Sequence, residues 1–264
     1  MASSRHLTVF AVVLAAFLLP AARAAWAQTS GWHVDVAPLY AWAASTSGNI
    51  AVNGTRDIPV YLDFSDAAEN LAGAFMFRGE ARNGQWGVLG DVFFIRLSTD
   101  VNYTTPILSV PIAGTLKFNE TVFNGKVTYE PKPGSHFYLV GGVRALTVAP
   151  TVRFTGPAGG QLADIDTSRT VAAAVGGFIY RPRLGGRVAL LTQGDVGGGS
   201  AFTTSATGGI EVLIKPWVGV AAAYNVLHLD TGVSTGGTGP VDDVETAITQ
   251  HGPVFTLTFH WAEK

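Results

Sequence analysis

The sequence predicts an all-β protein, a transmembrane antiparallel up-and-down β-barrel of about ten strands, with eight or twelve as the neighbouring counts. Three observations predict it. The last strand-like stretch, Pro253 to Trp261, alternates: Pro253, Phe255, Leu257, Phe259 and Trp261 share one face, and Val254, Thr256, Thr258 and His260 the other. Mean hydropathy is positive, at +0.28, yet past the N-terminal region no uninterrupted apolar stretch reaches the roughly 20 residues that a membrane helix needs. Apolar residues are instead distributed in alternation, as they must be where one strand face meets lipid and the other a lumen. The N-terminus, finally, reads as an export signal.

That signal is argued from its parts. Arg5 and His6 give a positive start, Leu7 to Leu19 form an apolar run of 13 residues, and Pro20 ends it. Ala25-Trp26-Ala27 places small residues where a signal peptidase reads them, so cleavage is expected before Gln28. Residues 1–27 are thus read as a cleaved signal peptide and residues 28–264 as one barrel domain. Removing Arg5 and Arg23 leaves 15 basic against 19 acidic residues, a mature net charge of −4. Such a balance favours neither nucleic acid nor an anionic surface. Cysteine is absent, which excludes a disulfide framework and thiol chemistry.

The first predicted strand (Trp32–Ala43) sets Trp32, Val34, Val36, Tyr40 and Trp42 against His33, Asp35, Ala37 and Ala41. The second (Ala74–Arg82) opposes Phe75, Phe77 and Ala81 to Met76, Arg78, Glu80 and Arg82, and Asn83-Gly84 then gives a strong hairpin signal. The third (Trp86–Ser98) carries Trp86, Val88, Val92 and Phe94 outside, with Asp91 and Phe93 inside. The fourth (about Phe118–Glu130) exposes Phe123, Val127 and Tyr129 and turns Asn124, Lys126 and Glu130 inward. After the Pro131–Ser135 turn, the fifth (Phe137–Thr147) shows Phe137, Leu139 and Val143 outside and Arg144 inside. The sixth (Thr170–Tyr180) is rich in Ala and Gly and its facing is ambiguous. The seventh (Val188–Val196) points Asp195 inward and the eighth (Ser205–Ile214) Glu211. The ninth (Val218–Leu227) has Val218, Val220, Tyr224 and Val226 outside with Asn225 inside, and the Pro253–Trp261 stretch is the tenth.

Short connectors alternate with longer ones, as expected of an outer-membrane barrel whose N-terminus starts in the periplasm. The predicted periplasmic strand ends hold Trp32, Trp86, Tyr129, Phe137, Tyr180, Trp217 and Trp261. Amphipathic rings prefer the membrane boundary, so these read as an aromatic girdle.

Candidate functional residues are the predicted lumen charges: Asp35, Arg78, Glu80, Arg82, Asp91, Lys126, Glu130, Arg144, Asp195 and Glu211. Unpaired charge away from water is costly, so these are expected to pair across the interior or to hold trapped water. Ten strands lie near the eight at which side chains fill a barrel. A structural ion-pair network is therefore expected, with a narrow solute-selecting pore as the sharper alternative. Loop one, Ser45–Gly73, is expected to hold an extra hairpin around Asn53-Gly54 and a short helical turn capped by Ser65 or Asp66. The final loop, Asp230–Thr246, gathers Asp230, Asp242, Asp243 and Glu245, without the ligand spacing of a calcium loop.

Histidines 6, 33, 136, 228, 251 and 260 show no metal-ligand spacing. His228 and Asp230, with Asp100 near the outer end of the third strand, read as rim residues rather than a catalytic pair. Gly141-Gly142 and Gly176-Gly177 lie inside strands and read as packing positions. No catalytic residue, metal or cofactor is expected.

The run Phe64-Ser65-Asp66, Glu69-Asn70-Leu71, Ala74-Phe75-Met76, Glu80-Ala81-Arg82, Gly84, Trp86-Gly87 and Asp91 resembles a group of bacterial outer-membrane β-barrel proteins of unassigned activity, small OmpA- or OmpW-like or porin-like barrels. The closing His251-Gly252-Pro253-Val254 and its alternating strand resemble them too. Trp261 is here followed by Ala-Glu-Lys, where such chains stop at or beside the aromatic residue. The resemblance implies a fold and a place in the Gram-negative outer membrane rather than an activity. The chain is accordingly expected to be exported, monomeric, and partnered by outer-membrane lipid, lipopolysaccharide and the barrel-assembly machinery, with no nucleic acid. Three functions stay open: a narrow passive channel or structural barrel, a surface-binding adhesin-like barrel acting through its loops, and an outer-membrane hydrolase, which the lack of a convincing triad disfavours.

Overall fold

The computed structural model describes residues 31–52, 58–104, 111–155, 161–166, 168–230 and 244–262. The predicted signal peptide, the Asn53-Gly54 turn and residues Asp242 and Asp243 of the final loop lie outside them, as do the side chains of Asp100 and Glu245. The strands are β1 (Trp32–Trp42), β2 (Ser45–Val52), β3 (Ile58–Leu62), β4 (Leu71–Asn83), β5 (Trp86–Thr104), β6 (Pro111–Tyr129), β7 (Phe137–Thr155), β8 (Gln161–Asp166), β9 (Arg169–Tyr180), β10 (Val188–Gly199), β11 (Phe202–Lys215), β12 (Val218–Asp230) and β13 (Val244–Ala262). One helical turn, α1 (Phe64–Glu69), lies between β3 and β4.

Ten of these strands close on themselves in the order β1-β4-β5-β6-β7-β9-β10-β11-β12-β13, and β1 pairs with β13 to complete the wall. All neighbours are antiparallel. Closure removes both sheet edges and satisfies most of the backbone within the wall. The remaining strands extend one rim: β2 pairs with the outer part of β13, β3 with β2, and β8 with the outer part of β7. No helix among the described residues is long and apolar enough to cross a membrane, which says nothing of a barrel that crosses with strands.

Strand parity divides the surface. Phe75, Trp86, Leu139, Ile210, Tyr224, Phe255 and Trp261 are exposed on the outside, whereas Glu80, Lys126, Arg144 and Asp195 are buried within. The Ala- and Gly-rich β9 has a definite facing: Val171, Ala173, Val175 and Ile179 point in. At the rim of short turns, Trp86 packs on Tyr129, Phe137 on Phe178 and Tyr180, and Phe259 on Trp217 and Trp261.

Two sequence expectations need correction. In the first strand, Tyr40 and Trp42 do not share the outer face with Val34 and Val36. The β1/β13 register shifts between Val36 and Leu39, so the two residues Ala37 and Pro38 oppose one on β13. A one-residue slip reverses every side chain beyond it. Leu39 and Ala41 therefore face out, while Trp42 is buried and Tyr40 packs against the interior. Proline has no N–H to give to a ladder, which is why such an interruption sits here. The hairpin after β4 is also offset by one position. Asn83 pairs with Trp86, so Gly84 and Gln85 form the turn, and only Gly84 has positive φ, at 58°. That is the II′ arrangement, with glycine first.

Strands β5, β6, β7 and β13 each run for 19 residues, well beyond the predicted ends. The outer portion of β5, Thr99-Asp100-Val101-Asn102, lacks the bulky apolar face on which the sequence reading relied.

Candidate functional site: the barrel interior

Read from the short-turn rim, Glu130 just past β6 and then Thr128, Lys126, Asn124, Val122 and Glu120 on it are successive inward positions, all buried. They sample the interior at increasing depth, and each depth has its own chemistry.

Nearest the short turns is a charged ring. Glu80 accepts from Arg181 Nη1 at 2.6 Å and lies 3.2 Å from Arg82 Nε. Arg82 also donates to Asp35 Oδ2 at 3.2 Å and to the Tyr138 hydroxyl at 2.7 Å. His260 bridges two carboxylates, with Nδ1 2.8 Å from Asp35 Oδ1 and Nε2 3.2 Å from Glu211 Oε1. Below this ring a vestibule of about 440 Å³ opens at the rim, where Glu130, His136, Arg183 and Arg187 stand.

The next level centres on Asp195. It accepts from Lys126 Nζ at 2.7 Å and Ser205 Oγ at 2.7 Å, and Arg144 Nη2 lies 3.0 Å from its second oxygen. Arg144 further donates to Asn124 Oδ1 at 2.8 Å and Thr203 Oγ1 at 2.9 Å, and Asn124 donates to Asp91 Oδ1 at 2.7 Å. A cavity of about 100 Å³ lies between Tyr40, Arg78, Gln193 and His260.

Above the charges comes an apolar layer of Trp42, Phe93, Val122, Leu146, Val171, Leu227 and Val254, with Met76 and Tyr40 packed against it. Trp42 meets Phe93 edge-on, with ring centroids 5.4 Å apart. Higher still, Gln250 Nε2 donates to both oxygens of Glu120 at 2.9 Å.

Of the residues proposed from sequence, the structure gathers Asp35, Glu80, Arg82 and Glu211 into the first cluster, and Asp91, Lys126, Arg144 and Asp195 into the second. Arg78 stands between them, donating to Gln193 Oε1 at 3.1 Å. Glu130 joins neither cluster; it accepts the His136 N–H at 2.8 Å in the turn. Sequence reasoning missed Arg181, Tyr138, Glu120, Gln250 and Gln193, and assigned His260 the inward face without a role. Parity contained the signal: Arg181 follows inward Ile179 by two, and Glu120 shares the parity of Asn124 and Lys126. The first was hidden by being read as a turn; the second lay inside the predicted strand with inward parity and was passed over.

His228 lies on the outer face, its Nδ1 2.9 Å from Thr249 Oγ1, so it does not point into the interior toward the charged residues. Among the described residues no group of three or more His, Asp or Glu is placed to hold a metal ion. What the interior does chemically is join strands across the barrel through charge pairs, the Asp195 cluster enclosed by side chains and the Asp35–Arg82–His260 ring bordering the vestibule.

No protein-family profile matches the chain, and no curated protein sequence matches it. Solved structures that are similar in form include the outer membrane protease OmpT of Escherichia coli (TM-score 0.43, 8% identity, covering 88% of this chain and 97% of that one). The translocator domain of autotransporter NalP from Neisseria meningitidis scores 0.41 at 10% identity, covering 97% and 98%. The attachment invasion locus protein Ail of Yersinia pestis scores 0.31 at 12% identity, covering 86% and 99%. None of these carries a residue role over to this chain.

Proposed function

We propose that this chain is an integral barrel of the bacterial outer membrane whose interior is sealed, so that it acts as a non-conducting scaffold rather than a pore. The outer face supports the membrane setting. Trp32, Phe75, Trp86, Leu139, Ile210, Trp217, Phe255 and Trp261 are all exposed there, more contiguous apolar surface than water tolerates. Tryptophans and tyrosines gather at the short-turn rim, where a membrane boundary selects them.

One observation carries the sealed reading: the interior is crossed in succession by the Asp195-centred charge cluster, the Trp42–Phe93 apolar layer and the Glu120–Gln250 strut. An ion entering from the vestibule meets side chains in contact rather than a water column. The long strands support a role on the outer side. At about 3.3 Å per residue and a tilt near 40°, 19 residues rise roughly 45 Å, against an apolar band of about 25 Å. The excess of β5, β6 and β7 stands above the membrane as a rigid platform suited to surface binding.

Planar bilayer recording with the refolded protein tests the sealed reading. A membrane that stays silent at protein levels where a known porin gives steps is the expected result. Reproducible single-channel steps would replace the scaffold with a channel.

A further inference from the structure

Among the described residues the closed wall has an interruption between β1 and β4. The β1/β4 ladder runs from Trp32↔Asn83 only as far as Ala37↔Arg78. Beyond the Pro38 bulge, Leu39 to Trp42 pair with β13 alone, and Leu71 to Phe77 pair with β5 alone. The chain then passes above the gap, since β3 and α1 connect β2 to β4. The result is a window in the wall, bounded below by the last ladder pair and above by the β3–α1 segment. Through it the Trp42 N–H donates to Met76 Sδ at 3.1 Å, so a side chain takes the place of the missing strand-to-strand contact.

The window joins two apolar surfaces that the ladder keeps apart elsewhere. On its outer margin Leu39, Phe75 and Leu71 are exposed. Directly behind it lies the buried layer of Trp42, Phe93 and Val254, into which Met76 packs. The Trp42 indole Nε1 is buried in that layer and has no hydrogen-bond partner among the described residues. A buried donor left unpaired is rare and costly.

We propose that this window is a lateral entry site for one unbranched acyl chain carrying an oxygen acceptor at its head, a single-chain amphiphile of the fatty-acid class. The proposal rests on the membrane-embedded reading above. Met76 argues for the occupant: an unbranched, flexible thioether chain already fills the slot, and what displaces it must have the same cross-section. A single side chain, Met76, spans the two strand edges there, so one chain and not two takes its place. Trp42 Nε1 supplies the donor that a carboxylate or ester oxygen accepts. Met76 swings aside as the chain enters from the outer half of the bilayer.

The test uses the full chain in dodecyl maltoside, with the five other tryptophans replaced by phenylalanine so that Trp42 alone reports. Titration with 9,10-dibromostearate is expected to quench Trp42 saturably, and unbrominated stearate to reverse it. A matching variant that keeps only Trp217, on the outer surface, should show linear, uncompeted quenching from micelle partitioning. Saturation absent at Trp42, or identical curves for the two variants, overturns the proposal. Should the multiple replacement not fold, native mass spectrometry of the unmodified protein with stearate decides: one adduct is expected, bound roughly fivefold more weakly in Trp42→Phe, and no adduct refutes the site. Met76→Ala should accelerate uptake. Bilayer recording separates the two readings, because steps would remove the sealed lumen while leaving the quenching result intact.

Discussion

Lys126 on β6 and Asp195 on β10 reach each other across the interior, with Nζ 2.7 Å from Oδ2 and both side chains 1% exposed. Arg144 on β7 closes on the same carboxylate, so one acid answers two cations from two other strands. The cluster fastens three walls at a point where water does not screen it.

Asp195→Asn should therefore be among the most damaging substitutions in the interior. It keeps the volume but leaves two buried cations without their counter-charge, a change that costs about 3–5 kcal/mol when one partner of a buried pair is removed. Urea unfolding in detergent micelles measures it. Adding Lys126→Met to Asp195→Asn should recover part of the loss, and a double variant no better than the single would mean that the pair is not coupled.

Arg144 and Arg78 separate the strong from the weak members of the lumen set. Arg144 bonds Asn124, Thr203, Asp195 and Ser205, whereas Arg78 bonds Gln193. Arg144→Ala should cost about 3–5 kcal/mol and Arg78→Ala about 1 kcal/mol. Val88→Ala, on the outer face, should cost less than Arg144→Ala. The temperature at which heat-modifiable gel migration is lost ranks all three, and equal values would contradict the assigned facing.

Pro38 fixes the flip in β1. Pro38→Ala keeps the residue count, hence the bulge, and should leave the barrel folded. Deleting Pro38 removes the extra residue, so Ala37 alone opposes Thr258 and Leu39, Tyr40 and Trp42 keep their partners and faces in regular alternation. The deletion should therefore still show the compact unheated gel form, and its loss would mean that Pro38 is not the residue the ladder passes over.

The paired glycines of β7 and β9 divide by parity. A Cβ on Gly142 would lie 2.2 Å from Gly125 O, and one on Gly177 2.0 Å from Gly194 O, both backbone atoms of a neighbouring strand. On Gly141 it would meet nothing within 4 Å, and on Gly176 only Val140 O at 3.9 Å. Gly142→Ala and Gly177→Ala should each destabilise by about 1–3 kcal/mol, since the strands must part. Gly141→Ala and Gly176→Ala should stay within about 0.5 kcal/mol. The same denaturation assay discriminates them.

Alternation along each strand was enough to predict the barrel, its ten wall strands and the facing of most of them, because a period of two is a property of a single strand and needs no partner. The inward placement of Asp35, Lys126, Arg144 and Asp195 followed from the same count. What a strand cannot contain is the position of its neighbours. That Lys126 and Arg144 converge on Asp195, while Glu130 turns away to the His136 backbone, depends on registers set by every ladder between them. The Pro38 bulge likewise left no mark in the period, since an alternating run reads the same until a partner strand shows where a residue was skipped. The window beside Trp42 exists only because two strands part, and parting is a relation between strands. Sequence settled which side of the wall most residues meet; only the closed, staggered sheet decided which residues meet one another and where the parity slips.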